Sequence, residues 1–230
     1  MWENFKSQFI LNFVDDNRWH YLTDGLFITL EITVFAALLG LVLGFIIAVI
    51  RHNHEKTGKL KIANALCSLY LTIIRGTPVV VQLMIIYFVV FGSVRIDKVL
   101  VAVIAFGINS GAYQAEIFRS GIQSIPKGQY EAGRTLGFSY RQTMLTVIMP
   151  QALRSVVPTL LNELIALLKE TSVAGYIALG DLTKGGDIIR SRTYSAFMPL
   201  IAVALIYLTL VLIMESIVKR IERRLKKNER

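Results

Sequence analysis

The stretch Leu26 to Ile50, LFITLEITVFAALLGLVLGFIIAVI, carries one charge, Glu31, along its whole length. A helix apolar on every side belongs in a large core or in lipid, and a bilayer core takes about 20 such residues. Four further segments are long enough: Ala63 to Phe91, Val99 to Phe118, Val156 to Leu179 and Ala196 to Met214. With 54% hydrophobic and 18% charged residues and a mean hydropathy of +0.55, a 230-residue chain holds more apolar surface than a soluble domain of this size can bury. Lipid must cover the excess. The expected fold is an all-α membrane protein with five transmembrane helices.

An odd number of spans puts the termini on opposite sides. Of the 25 Lys and Arg, 16 lie in Arg51 to Lys61, Arg119 to Arg154 and Lys219 to Arg230; 7 lie before Thr23, around Arg95 and Lys98, and in Leu182 to Tyr194. The richer set belongs in the cytoplasm, so the N-terminus is expected outside and the C-terminus inside. Residues 1–22 then form an extracytoplasmic interfacial segment bearing Trp2, Phe5, Phe9, Ile10 and Phe13. Residues 23–218 form the transmembrane domain, and 219–230 a basic cytoplasmic tail. Loops and headgroups account for the formal charge of +9, and nucleic acid is not needed to explain it. Met1 to His20 mixes charges with apolar residues and lacks a clean apolar run before a cleavage site, so no cleavable leader is expected. Cys67, alone, makes neither a disulfide nor a metal cluster. His20, His52 and His54 fall outside the spans, which argues against an intramembrane hydrolase.

Polar residues inside the spans are where function is expected, because each charge there costs roughly 3 kcal/mol on insertion scales. The second span is interrupted by Arg75, Gly76, Thr77 and Pro78. Proline lacks a donor and disfavours helix in the residue before it, so this is a helix break: either a gate or site element sheltered by protein, or a kink with Arg75 reaching for the cytoplasmic interface. On the fourth span Thr159, Asn162, Glu163, Ala166, Lys169, Glu170 and Val173 fall within an arc of about 120° at helical spacing. Leu160, Leu161, Leu164, Leu167 and Leu168 lie outside that arc. Such a stripe lines a water-filled path or meets a polar helix, with Lys169 and Glu170 alternatively sitting at the outer interface. Glu116 and Arg119, at i and i+3, are expected to pair, and Asn109 and Ser110 to bond across helices. Gly40 and Gly44 in the first span make a seam for close helix packing, within the chain or in a dimer.

The segment Ile125 to Pro150, IPKGQYEAGRTLGFSYRQTMLTVIMP, is polar and sits between apolar spans. Pro126 suits a helix start. A short helix is expected over Gly128 to Leu136, stopping at Gly137 in a left-handed cap. Ser139 and Gln142 form a capping box for a second helix, which runs to Met149 before Pro150 interferes. Ala132 and Gly133 make the first helix thin on one side, able to enter a partner's cleft, while Glu131, Arg134 and Arg141 offer charge for register; the alternative is a solvated amphipathic hairpin lying on the headgroups.

RGTP at 75–78, NSGAYQAEIFRSGIQSIPKGQYEAGRTLG at 109–137 and NELIALLKETS at 162–172 stand in this order. Together they resemble the permease subunits of polar amino acid ABC importers, over Gly25 to Ile217. The resemblance implies a type I (MetI-like) importer fold and dimerisation with itself or a paralogue. It also implies two ABC ATPase subunits carrying the ATP and Mg, and an extracytoplasmic amino acid binding protein. The chain itself would bind no cofactor and would sit in the bacterial inner membrane. By the same likeness the loop 120–152 is a coupling element: Gly128, Tyr130, Glu131, Ala132, Gly133, Arg134 and Gly137 would seat in the ATPase. The likeness likewise implies that Thr77, Asn162 and Glu163 contact an amino acid in the membrane, and the polar stripe adds Ala166, Lys169 and Glu170 to the expected substrate path. Gly133 stands where the motif has a second alanine, at a cost of roughly 1 kcal/mol in helix propensity. The chain has no phosphate-binding glycine loop; Gly185 and Gly186 lack that context. A passive amino acid channel, needing no coupling helix, is the alternative.

Overall fold

The computed structural model describes residues 2–227, and every regular element among them is helical. A short α1, Trp2–Phe9, leads through a π-helical turn, Ile10–Val14, and a 3-10 turn, Asp15–Asn17, into α2, Trp19–Thr57, which contains the whole first apolar run. Next come α3, Lys61–Gly76, and α4, Val79–Ile85, whose helical course continues to Val90. The central helix α5 is Lys98–Gln123, followed by the short α6, Lys127–Thr135, and α7, Tyr140–Thr143. The long α8, Met149–Glu170, leads to α9, Leu182–Thr193, and to α10, Phe197–Lys227. Four of these helical stretches are long and apolar enough to cross a membrane, and the α3–α4 pair, bent by 111° at Pro78, makes a fifth if counted as one span. The expected number of spans is thus met, with one of them broken.

The tightest seam joins α2 to α5. Added Cβ atoms at Gly40 and Gly44 would come within 2.7–2.8 Å of Gln114 and Ala115, so glycine there permits a backbone approach that alanine would not. The GxxxG pair therefore serves packing within the chain. Ile32, Ala36, Ala102, Ala105 and Phe106 continue the seam as buried core, closed by Leu83 from α4 and Leu167 from the end of α8. On the opposite side, α2 leaves Phe27, Phe35, Leu38, Val42 and Phe45 exposed, as a lipid-facing helix does.

The expected helix stop at Pro150 is overturned. The helix beginning at Tyr140 does not stop at Pro150. A π-helical turn, Met144–Ile148, widens the backbone just before it, and the helix runs on through Pro150 and Pro158. The wider turn gives the proline ring room against the preceding carbonyls.

At the far end from the α6–α7 hairpin, α9 packs under the start of α2. A Cβ on Gly185 would lie 2.2 Å from the Tyr21 carbonyl, so that glycine serves contact with α2. The N-terminal segment is tied to the same end. Asn12, fully buried, donates from Nδ2 to Gln8 O at 2.7 Å and accepts from Thr193 Oγ1 at 2.8 Å.

Candidate functional site

Polar side chains form two networks that meet on consecutive residues of α5. The first begins at the break. Thr77 is extended (φ −127°, ψ 147°), which leaves the last carbonyls of α3 without helical donors. Thr77 Oγ1 donates to Ile73 O at 2.8 Å. Gln82, from the first turn of α4, turns its Nε2 back to Ile74 O (2.7 Å), Thr77 O (3.0 Å) and Thr77 Oγ1 (2.8 Å). Its Oε1 accepts from Asn109 Nδ2 at 2.9 Å. One buried amide thus ties the break to α5. Gln82 carries only a faint signal in the sequence, a lone polar residue in an apolar run four positions after the proline.

The second network starts one residue later. Ser110 Oγ donates to Glu163 Oε1 at 3.1 Å and accepts from Gln114 Nε2 at 3.0 Å, and Gln114 also reaches Ala37 O on α2 at 3.3 Å. Thr77 and Glu163, expected from separate parts of the chain, are therefore drawn to neighbouring positions on α5. Of the rest of the stripe, Asn162 and Lys169 are exposed, and Ala166 and Glu170 half-buried, while Leu167 and Leu168 are fully buried on the other side. The stripe is thus an open face of this chain and the leucines are its anchor.

Below Glu163 an open cleft of about 420 Å³ runs between α5 and α8, lined among others by Tyr113, Glu116, Ser120, Ser155 and Thr159. Glu116 forms its charged floor. It pairs with Arg119 at 3.2 Å, as the spacing required, and also with Arg51 at 2.8 Å and Arg75 at 3.7 Å; Arg119 in turn reaches Glu55 at 3.4 Å. Arg75 lies over the Tyr113 ring, 5.8 Å from its centroid. Of the break residues, Arg75 thus turns to the cleft, Gly76 lies in open space and Pro78 caps α4. The convergence of three arginines on one carboxylate was legible only as the local Glu116–Arg119 pair.

The α6–α7 hairpin closes this end of the bundle. α6 starts after Pro126 and ends in a Schellman motif: Gly137 N–H donates to Arg134 O (2.9 Å) and Phe138 N–H to Gly133 O (3.0 Å), with Gly137 at φ +80°. The Ser139–Gln142 capping box forms as expected. Gly128, Glu131, Ala132, Arg134 and Gly137 are exposed and Leu136 is 73% exposed, whereas Tyr130 is half-buried, which raises its phenol pKa. Gly133 behaves differently from the expectation of an outward thin side. It is buried, and a Cβ there would lie 2.5 Å from Thr143 Cγ2, so its lack of a side chain lets α6 close on α7. At the opposite end Asp187 accepts from Lys184 and Arg190, which hold its pKa below the usual carboxylate range. Asp181, fully buried, has its carboxyl pushed up to about 6 by burial, against the opposing pull of the α9 amides it caps.

Among the described residues no group of three or more His, Cys, Asp or Glu is arranged to hold a metal ion. Residues 40–227 match the family model described as "Binding-protein-dependent transport system inner membrane component". The chain is 39% identical over 211 residues to the arginine transport system permease protein ArtQ of Bacillus subtilis, covering 91% of this chain and 94% of that one. To the glutamine transport system permease protein GlnP of Escherichia coli it is 41% identical over 199 residues, covering 85% and 90%. A crystal structure described as an amino acid ABC transporter superposes with a TM-score of 0.84 at 38% identity, covering 92% of this chain and 98% of that one. An inward-facing methionine ABC transporter, at 24% identity and TM-score 0.75, shares the fold. A multi-helix membrane chain with this break, this central polar line and this terminal hairpin, matched over most of its length, belongs to the inner membrane components of binding-protein-dependent transport systems.

Proposed function

We propose that this chain is the membrane-spanning subunit of an ATP-driven amino acid importer, forming half of a translocation path by alternating access. The carrying observation is the exposed, sharply capped α6 at one end of a bundle whose interior polar line opens toward it. Two ATPase subunits bind ATP and Mg and dock on the hairpin through Gly128, Tyr130, Glu131, Ala132, Arg134 and the Gly137 turn, with Gly133 fixing its shape. Their closure draws the paired hairpins together and biases the bundle outward-open; hydrolysis releases it inward. In the bacterial inner membrane the N-terminus lies outside, the hairpin and the basic tail inside. A second permease, identical or paralogous, completes the path, and an extracytoplasmic binding protein delivers the amino acid.

Thr77, Asn162, Glu163, Ala166, Lys169 and Glu170 line that path, with Arg75, Gly76 and Pro78 at its broken helix. Carboxylates and cations on one face suit a zwitterion, whose ammonium and carboxylate each find an opposite charge. Its similarity to arginine and glutamine permeases supports a polar amino acid as the cargo class. The test is uptake into proteoliposomes containing both permeases, the ATPase and the binding protein. Glu131→Ala and Gly137→Val should leave amino acid binding to the delivery protein intact and separate ATP turnover from uptake, because a β-branched residue resists φ +80°. Undiminished uptake per ATP in both variants overturns the docking role.

A further inference from the structure

The hairpin is gripped by α2 as well as by its own chain neighbours. His52 Nε2 lies 2.6 Å from Tyr140 Oη with the two rings nearly parallel, and Lys56 Nζ sits over the rings of both Tyr130 (5.3 Å) and Tyr140 (5.7 Å). Both tyrosine contacts fall within the range of cation–π attraction. One turn of α2 therefore touches α6 and α7 at once. The alternate positions of that turn face α5: Arg51 pairs with Glu116 and Glu55 with Arg119. Above them Gly40 and Gly44 let α2 and α5 pack at close backbone approach.

We propose that His52 and Lys56 are positioning residues, coupling displacement of the hairpin to the α2–α5 body as well as to α8. Besides these contacts the hairpin reaches the bundle through residues 124–126 into α5, through the π turn at Met144–Ile148 into α8, and through Gln129 Oε1, which accepts from Gln151 Nε2 of α8 at 3.3 Å. The His52 and Lys56 contacts join the hairpin to α2 itself, which those routes into α5 and α8 do not. The Thr77–Gln82–Asn109 network hangs on α5, and motion delivered there reaches the break directly.

This inference rests on the docking reading above, and its test separates the two. In a Cys67→Ser background, His52→Cys with Tyr140→Cys removes the contact and permits a short bismaleimide bridge in its place. The complete transporter is reconstituted and uptake per ATP measured before and after bridging. The expected result is a loss of roughly fivefold before bridging, the size of a modest coupling energy, and recovery after it, with the ATPase still co-purifying. Full coupling before bridging, or arrest or no recovery after it, overturns the proposal. Lys56→Met should lower uptake per ATP in the same way and Lys56→Arg should restore it; equal losses in both overturn the cation's role. A failed docking reading shows itself elsewhere, as intact coupling in Glu131→Ala and Gly137→Val.

Discussion

Two prolines in this chain have opposite outcomes. At Pro78 the helix breaks through 111°, while at Pro150 it passes as a continuous rod. Both remove one backbone donor and crowd the preceding turn. The difference lies in what receives the freed carbonyls. Before Pro78 the residue Thr77 is extended, and a buried glutamine from beyond the break collects the carbonyls of Ile74 and Thr77. Before Pro150 the backbone stays helical (Met149 φ −59°, ψ −43°), the π turn takes up the ring, and Gln151 Nε2 donates to the neighbouring Val147 O at 2.8 Å. A break persists in a membrane only where side chains supply donors in place of the water that is missing.

That contrast makes Gln82 the residue whose loss should cost most. Gln82→Met keeps the volume and removes both ends of the amide, stranding Ile74 O, Thr77 O and Asn109 Nδ2. At roughly 1 kcal/mol for each stranded group, a destabilisation of about 2–3 kcal/mol is expected, read as a lower midpoint of thermal unfolding in detergent. A loss no larger than that of Gln151→Met would show that the break does not need its glutamine. Thr77→Val comes next: it removes one donor to Ile73 O and one acceptor of Gln82, for about 1 kcal/mol by the same measurement. Gly76→Ala is expected to gain about 0.5 kcal/mol. The site has nothing within 4 Å, and the substitution restricts only the unfolded chain. A loss there would mean that glycine's freedom helps make the break.

The spans, the seam, the helix stop at Gly137 and the capping box were legible because each depends on residues close in sequence. Helical periodicity sufficed to put Glu163 and its stripe on one face, opposite the buried Leu167 and Leu168. Gln82 was not legible, since the groups that it satisfies lie across a bend whose angle no spacing encodes. Glu116 was seen with Arg119 but not with Arg51 and Arg75, which arrive from two other helices. Gly133 was read as facing outward because a thin helix face does not say which neighbour fills it; the neighbour was Thr143. Pro150 was read as a stop because a helix's ability to widen by one residue leaves no mark in the residue types.

Pro150→Ala tests the other half of the contrast and carries the smallest expected effect. A proline in an ordinary helix interior costs about 3 kcal/mol, so its removal from an unrelieved position would stabilise by a comparable amount. Here the π turn at Met144–Ile148 already accommodates the ring, and Gln151 already serves Val147 O. The expected change is therefore within about 0.5 kcal/mol, since only a relieved position leaves so little to recover. Thermal unfolding of Pro150→Ala in detergent decides it. A stabilisation near the full proline cost would show that the π turn does not absorb the strain, and that the two prolines differ only in the residues that precede them.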